Sequence, residues 1–493
     1  MPLSVTNTLT GEREPFEPQD PDSVLLYYCG LTVSDDAHLG HARSWVHVDV
    51  MHRWLEHLGY SVRHVENFTD VNEKIVARIG EDELGGDERA VAMHYISSVI
   101  EDMRGLNLKR ASVYPRVSEH IPEIVDLIEG LLDRDHAYVS NGSVYFDVSS
   151  FPEYGKLSGQ DLEEMEPQGP ADERAEKDAP QDFALWKAGP VDPEAVARHR
   201  EDDSDAVEAG GQTWEAPWSE GRPGWHIECS AMSMAHLEES IDVHVGGQDL
   251  VFPHHENEIA QSEAATGEQF ARYWLHVDLL ETEGEKMSTS LENFFTVKNA
   301  LEELGPNVVR MFLLSAQYRQ SQTYSERTIE EAVERFERLE RAYDRAVEAR
   351  DSPDAYATVT DEELRATIET QRAAFEDAMN DDFNTREALA ALFEIASALN
   401  GHVDDHDRYD YEGLNEAVET LETLGGEVLG FVFDGTAPDG DVELAEDLIE
   451  ELLAVREDRR TAGDYETADD IRDRLEALGV EVEDTDSGPQ FRL

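Results

Sequence analysis

The stretch from Val24 to Asp70 leaves few folds open. "VLLYYCG" (Val24 to Gly30) is a short apolar, aromatic-rich run closed by glycine, the pattern of a buried strand. "LTVSDDAHLGH" follows as a loop. "ARSWVHVDVMHRWLEHLG" then reads as a helix, with Ala42, Trp45, Val46, Trp54, Leu55 and Leu58 broadly on one side and Gly59 as its stop. "YSVRHVENFTD" is the next strand, and "VNEKIVARI" opens another helix with Thr69 or Asp70 as its cap. Strand, helix, strand, helix is the βαβ opening of a doubly wound parallel sheet.

Between about residue 115 and residue 215 that pattern degrades. "NGSVYFDV" reads as a hairpin strand, and two acidic stretches rich in turn formers, "EEMEPQGPADERAEKDAP" and "PVDPEAVARHREDDSDAVEAGG", mark an insertion with solvated loops. The parallel-sheet pattern resumes with "GWHIECSAM" and "IDVHVGGQDLVF". From about residue 300 the chain reads as helical, in "NVVRMFLLSAQ", "REALAALFEIASALN" and two final helices joined near Gly463. No solenoid repeat is present.

Charge narrows the setting. Asp plus Glu total 110 against 40 Lys plus Arg, a net charge of −70. Aromatic content and the apolar-periodic segments argue against disorder for most of the chain. Seven residues are lysine, and none follows Lys298. An acidic, lysine-poor surface suits molar salt, where charges are screened within about 3 Å, so a halophilic cytoplasm is expected. This sign of charge opposes nucleic-acid binding. A polyanionic partner would need arginines such as Arg310, Arg319 and Arg492 to cluster locally. Two cysteines make no disulfide framework, no apolar run is long enough for a membrane span, and the N-terminus lacks the order of a signal peptide.

Three stretches carry chemistry. "HLGH" (His38 to His41) sits where the first strand leads into a helix, whose N-terminus offers unpaired N–H groups and a partial positive charge. Gly40 lets a ligand lie against the backbone, and imidazole N–H groups can donate to phosphate oxygens. The alternative is a helix with two surface histidines. "EKMSTS" (Glu285 to Ser290) places a scarce lysine among hydroxyls, suited to holding phosphates while charge develops on them; a polar surface loop is the alternative. In "PHHENE", His254 and Glu258 share a helical face, with Pro253 in the first turn. Together with Cys29 and Cys229 they have the types and number of a tetrahedral zinc site. Buried cysteines are more often plain core residues, and only the fold can bring these two together.

Taken together, these stretches resemble the cysteinyl-tRNA synthetases, a family of class I aminoacyl-tRNA synthetases. The resemblance extends through "NFTDVNEKI", "DFALWK", "GRPGWHIECSAM", "GGQDLVFPHHENEIAQSEAATG", "DDFNTREALAALF" and "DYETADDIRDRLEALGV", and is most specific from Gly221 to Val297. It implies an α/β fold: a Rossmann-like doubly wound catalytic domain in two halves (1–114 and 215–300) around an inserted connective subdomain (115–214). A stem-contact helical region (301–340), a helical-bundle tRNA-binding domain (341–435) and a small anticodon-binding domain (436–493) would follow.

The resemblance also assigns roles. Cys29, Cys229, His254 and Glu258 would bind one Zn2+. "HLGH" corresponds to the HIGH motif, so that His38, Gly40 and His41 would contact ATP, with Asp249 near its ribose. "KMSTS" corresponds to KMSKS, with Lys286 and Ser288 catalytic and Thr289 in place of the second lysine, the family's usual ATP-phosphate contact. Thr69, Trp225 and His244 would line the amino-acid pocket. ATP with Mg2+, L-cysteine and tRNA(Cys) are the implied partners of a cytoplasmic monomer with no membrane association. Size alone discriminates poorly between cysteine and serine, whereas zinc accepts a thiolate far more readily than a hydroxyl. One rival is a ligase joining cysteine to an amino-sugar, which lacks the helical tail present here. Another is a non-enzymatic zinc-stapled scaffold, which the intact "HLGH" opposes.

Overall fold

The computed structural model describes residues 2–81, 84–162, 165, 167–169, 171–200, 210–282, 285–286, 295–433, 453, 456, 459–460, 468, 471–472, 481–485 and 488–492. The chain divides into two compact units, Met1–Phe433 and Asp434–Leu493.

A hairpin of β1 (Ser4–Thr6) and β2 (Arg13–Pro15) precedes the first βαβ unit, β3 (Ser23–Tyr28), α1 (Leu39–His57) and β4 (Ser61–Glu66). β3 and β4 pair in parallel, Leu26 opposite His64. The crossover α1 buries Ala42, Trp45, Val46, Trp54 and Leu55 and stops where Gly59 takes a φ of 96°. Trp54 is wholly buried, and burial of a large apolar side chain contributes roughly 1.5–3 kcal/mol. Helices α2 (Glu73–Ala77) and α3 (Glu88–Gly105) complete this half.

The insertion is ordered around α4 (Ile121–Asp133) and an antiparallel sheet. Its elements are β5 (Ala137–Ser140), β6 (Ser143–Phe146), α5 (Ala171–Arg174), β7 (Phe183–Ala188), α6 (Pro193–His199), β8 (Trp214–Glu215) and β9 (Glu220–Pro223), with strand order β5-β6-β7-β9-β8. Residues 201–209 of its acidic stretch lie outside the described residues. The second half then follows as α7 (Trp225–His236), β10 (Ile241–Gly247), α8 (Glu256–Thr266) and β11 (Ala271–Val277). The central sheet has the order β11-β10-β3-β4, and every pair in it is parallel. The two halves meet between β3 and β10, so the strand order reverses there. Beyond the carboxyl ends of those strands a crevice must open.

β12 (Leu280–Thr282), β13 (Glu285–Lys286), α9 (Val297–Leu314) and β14 (Gln322–Tyr324) come next, with the three strands in the order β13-β12-β14. The helical part comprises α10 (Glu326–Arg350), α11 (Glu362–Asn380), α12 (Thr385–Asp405) and α13 (Tyr411–Thr420), with the short pair β15 (Ala355–Tyr356) and β16 (Tyr409–Asp410). Phe336, Leu339, Ile368, Phe375, Leu392 and Ile395 fill its core. In the C-terminal unit β17 (Glu481–Thr485) and β18 (Gly488–Arg492) form an antiparallel hairpin. The helix junction expected near Gly463 lies outside the described residues.

Several local expectations change. "GWHIECSAM" is helix, not strand, because Ile227, Ala231 and Met232 recur at helical spacing and are buried. α2 is capped by Asn72, whose side chain accepts from Lys74 N–H, rather than by Thr69 or Asp70. Asp70 is taken by Ser118, whose backbone N–H it accepts at 3.0 Å. α1 begins at Leu39, so "HLGH" is a cap and first turn rather than a loop. The segment Val251–His255 is kinked, with Phe252 extended at φ −137° and ψ 133°, and α8 begins only at Glu256. Arg310 is no surface cation. It is fully buried, pairs with Asp49 at 2.6 Å and donates to Leu106 O and Leu429 O. Arg319 is half-exposed, 3.8 Å from Asp382.

Candidate active site and metal centre

Cys29 follows directly on β3, Cys229 lies in the second turn of α7, His254 precedes α8 and Glu258 is in its first turn. The fold brings all four together. Cys29 Sγ lies 3.4 Å from Cys229 Sγ and 3.3 Å from His254 Nε2, and His254 Nε2 lies 3.1 Å from Glu258 Oε1. All four are buried, and their ligand atoms lie within 4.8 Å of one another. Metal–sulfur bonds of about 2.3 Å and metal–nitrogen bonds of about 2.0 Å imply tetrahedral edges of about 3.3–3.8 Å. The observed separations need only a slight outward relaxation, so the donor set fits zinc in type, number and spacing.

His254 and Glu258 are each held from behind. His254 Nδ1 meets His226 Nδ1 at 2.9 Å, which turns Nε2 toward the sulfurs. His244 Nε2 lies 3.0 Å from Glu258 Oε2, and the His244 ring stacks on Trp274 with centroids 4.2 Å apart. Burial opposes the charge on His254, but Cys229 and Glu258 outweigh it and raise the imidazole to about 10. Burial also opposes the Glu258 carboxylate, yet His244 and His254 hold it below the usual range. The contact with Cys29 and burial push the Cys229 thiol well up. A bound dication reverses that last direction, because it favours thiolate over thiol.

A cleft of about 390 Å³ opens at the switch point between β3 and β10. Cys29, Thr69 and Trp225 line it together with His38, Gly40, His41 and Asp249. The exposed Trp225 ring lies 4.4 Å from that of His254, so it stands beside the cluster. At the N-terminus of α1 the His38 and His41 rings stack 3.8 Å apart, and His41 Nδ1 accepts from His38 N–H at 3.3 Å. That bond leaves the His41 proton on Nε2. His244 is fully buried behind Glu258. Lys286 enters through its backbone, opposite Glu281 in the β12–β13 pair, whereas Ser288 and Thr289 lie outside the described residues.

Two side chains in this region were not singled out from the sequence. Asn67 Oδ1 accepts from Gly30 N–H at 2.9 Å and from Tyr27 OH at 2.9 Å, and its amide donates to Thr69 Oγ1 at 3.3 Å. It thereby fixes the wall beside Cys29. Any Cβ on Gly30 would stand 1.8 Å from Asn67 O, so glycine is required there. Lys74 also lines the cleft, one of the few lysines in the chain.

A family model for the class I (C) tRNA synthetase catalytic domain matches residues 15–334. Models of the DALR domain and of the cysteinyl-tRNA ligase anticodon-binding domain match residues 374–434 and 443–492. The cysteine–tRNA ligase of Haloarcula marismortui is 65% identical, with 100% of both chains covered. That of Halobacterium salinarum is 64% identical, with 99% of each covered. The chain belongs to the cysteine–tRNA ligase family. It is accordingly an enzyme, a ligase of the aminoacyl-tRNA synthetase class. Among solved structures, a methionyl-tRNA synthetase from Mycobacterium tuberculosis in complex with methionyl-adenylate matches with TM-score 0.57 at 16% identity, covering 83% of this chain and 89% of that one. A putative arginyl-tRNA synthetase from Campylobacter jejuni matches with TM-score 0.57 at 12% identity, covering 85% and 95%. At these identities the likeness concerns the fold, and the fold is the class I one expected from the sequence.

Proposed function

We propose that this cysteine–tRNA ligase selects its amino acid through a zinc ion held by Cys29, Cys229, His254 and Glu258, and activates it as the adenylate before transfer to the 3′ end of tRNA(Cys). One observation carries the reading: Cys29 belongs both to the four-ligand cluster and to the wall of the cleft that begins at "HLGH". Zinc in that position supplies a soft Lewis acid that takes a thiolate and rejects a hydroxyl. His226 and His244 orient the ligands, so His244 acts through Glu258 rather than by touching substrate. Trp225 and Thr69 border the amino acid.

The cysteine carboxylate attacks the α-phosphorus of ATP, and the bond to the bridging oxygen breaks to release pyrophosphate. The terminal ribose hydroxyl of tRNA then attacks the acyl carbon and AMP leaves. His41 Nε2–H, His38 and the N-terminus of α1 stabilise charge on the phosphates. Lys286, and Ser288 and Thr289 beyond it, act on the same charge from the other side, and Asp249 receives the ribose. Mg2+ accompanies ATP. The helical region from residue 301 on and the C-terminal unit hold the tRNA stem and anticodon, and the enzyme works as a monomer in the cytoplasm.

The test is ATP–pyrophosphate exchange in high KCl with each amino acid in turn. Exchange is expected with cysteine alone. Comparable exchange with serine would remove the thiol-reading role, and no exchange with any amino acid would leave a zinc-stapled scaffold.

A further inference from the structure

Both flanks of the "EKMSTS" stretch are tied to α1. On the downstream side Leu39 N–H donates to Phe295 O at 3.0 Å, Val297 N–H donates to Ala37 O at 2.8 Å, and His38 forms a bridge with Thr296. On the upstream side the tie is a side chain. Arg43, two residues beyond His41, is fully buried. Its Nε donates to Asp278 O at 3.0 Å, its Nη1 to Leu313 O at 3.4 Å and to Gln322 Oε1, and its Nη2 to Gln317 O at 3.0 Å and to Gln320 O. Gln322 pairs with Leu280 across the β12–β14 ladder, and Glu281, the next residue of β12, pairs with Lys286. One guanidinium therefore spans from the "HLGH" helix to the strand stem from which Lys286 extends.

We propose that Arg43 is a positioning residue for the phosphate-handling stretch: its planar fork sets the placement of the Lys286 stem relative to His38 and His41. The five acceptors are all neutral oxygens, four main-chain carbonyls and one amide. The Asp278 carboxylate favours the charge from nearby but accepts none of these hydrogen bonds, and a buried charge held mainly by neutral oxygens is a poor stability device, since well-packed apolar residues often serve as well or better. What a guanidinium adds is rigid geometry, with five donors in fixed directions that lysine cannot reproduce. The acceptors come from the end of β11, the end of α9 and the 317–322 turn, the three segments that frame the base of β12.

The proposal rests on the assignment of Lys286 to the phosphates, and the experiment separates the two. Single-turnover adenylate formation at saturating ATP and cysteine is measured in Arg43→Lys, Lys286→Ala and the double variant. Transfer from preformed adenylate to tRNA is measured beside it. Arg43→Lys is expected to slow adenylate formation about 10- to 100-fold, as small misplacements of catalytic groups do. Transfer should stay within about twofold, and the double variant should be no slower than Lys286→Ala, as expected for two residues in one pathway. A multiplicative double variant, an equal slowing of both steps, or full-speed adenylation in Arg43→Lys overturns the positioning role alone. Full-speed adenylation in Lys286→Ala overturns the phosphate assignment and the positioning role with it. Should Arg43→Lys not fold, Gln322→Met removes the amide acceptor and keeps the carbonyls. The same step-selective slowing is expected there, and unchanged adenylation overturns the proposal.

Discussion

The two ends of the cleft are built on opposite plans. At the thiol end four buried ligands come from three separate elements, and His254 and Glu258 are each held from behind by another histidine. At the end proposed for the phosphates two stacked imidazoles stand on a helix N-terminus, and Lys286 comes from a stretch anchored at its flanks. Under the proposed function, the contrast follows from what each end would do. Telling sulfur from oxygen requires donors already placed when the substrate arrives, because size alone gives little discrimination. Stabilising charge that exists only in the transition state rewards contacts that strengthen as the reaction proceeds.

If the thiol end is the selective one, damage there should fall on cysteine and spare ATP. Cys229→Ser keeps the volume of the side chain but offers a poor metal ligand. Bound zinc is expected to fall from one per chain to near none. The kcat/KM for cysteine should drop on the order of a thousandfold, about 4 kcal/mol of transition-state stabilisation, with the KM for ATP little changed. Metal analysis beside pyrophosphate exchange checks both, and full zinc occupancy in the variant would sink the assignment.

Damage at the phosphate end should have the converse signature. Lys286→Ala is expected to lower the rate of adenylate formation about 100-fold, the scale of losing one charge-stabilising group. Zinc content and cysteine affinity should be retained. Thr289 offers a hydrogen bond without a charge, and charged hydrogen bonds are roughly twice as strong. Thr289→Lys should therefore be neutral or faster at low salt. Rapid-quench adenylation in the two variants decides, and a Lys286→Ala enzyme as fast as the parent would mean that the clamp lies elsewhere.

How far the sequence disclosed each end depended on the range of the interaction. His254 and Glu258 were legible because a spacing of four residues suggests one face, and the segment leading into α8 keeps them adjacent at 3.1 Å. Cys29 and Cys229 are 200 residues apart, and only the parallel sheet brings their sulfurs together. Asn67 and Arg43 gave no signal, because much of what they bind is the main chain of distant segments. The α7 stretch reads in sequence only as part of the resuming parallel-sheet pattern, while its buried Ile227 and Ala231 carry the helical period. Thr69 looked like a helix cap by position, yet its backbone is spent bridging Thr32 and Leu31 at the cleft wall.

Another buried carboxylate sharpens the lesson of the thiol end, that a buried charge needs partners. Glu258 has two histidines and is held low, whereas burial of Glu66, at the end of β4, raises it to about 8, with only Trp45 pulling the other way. A carboxyl raised in the folded state binds protons that the unfolded chain has released. Its stability contribution is therefore present at acid pH and lost as pH rises from about 4.5 to about 8. Glu66→Gln cannot ionise. It should match the parent near pH 4 and exceed it at pH 8 by about 4 kcal/mol, read as a Tm difference that grows with pH. A difference that stays constant with pH would place the Glu66 carboxyl in contact with water or a cation.

The smallest expected change separates the ends by salt. The metal cluster is buried, so its electrostatics should barely respond to ions, and the KM for cysteine should stay nearly flat across a KCl series. The chain as a whole carries a net charge of −70, and at 0.01 M salt repulsions between its exposed charges reach about 30 Å. The same field repels tRNA, itself a polyanion. Molar KCl shortens that reach to about 3 Å, leaving close contacts and shape to hold the complex. Arg310 cannot supply those contacts from the core, so they must come from other, exposed cations. Nucleic-acid binders ordinarily lose affinity steeply as salt rises, because binding releases counterions. Here tRNA affinity is expected to change by less than about tenfold, or to rise, between 0.2 and 2 M KCl, while the Tm climbs. Titrating tRNA affinity and Tm on one preparation tests this. A steep fall in affinity with no rise in Tm would show that the acidic surface is not an adaptation to salt.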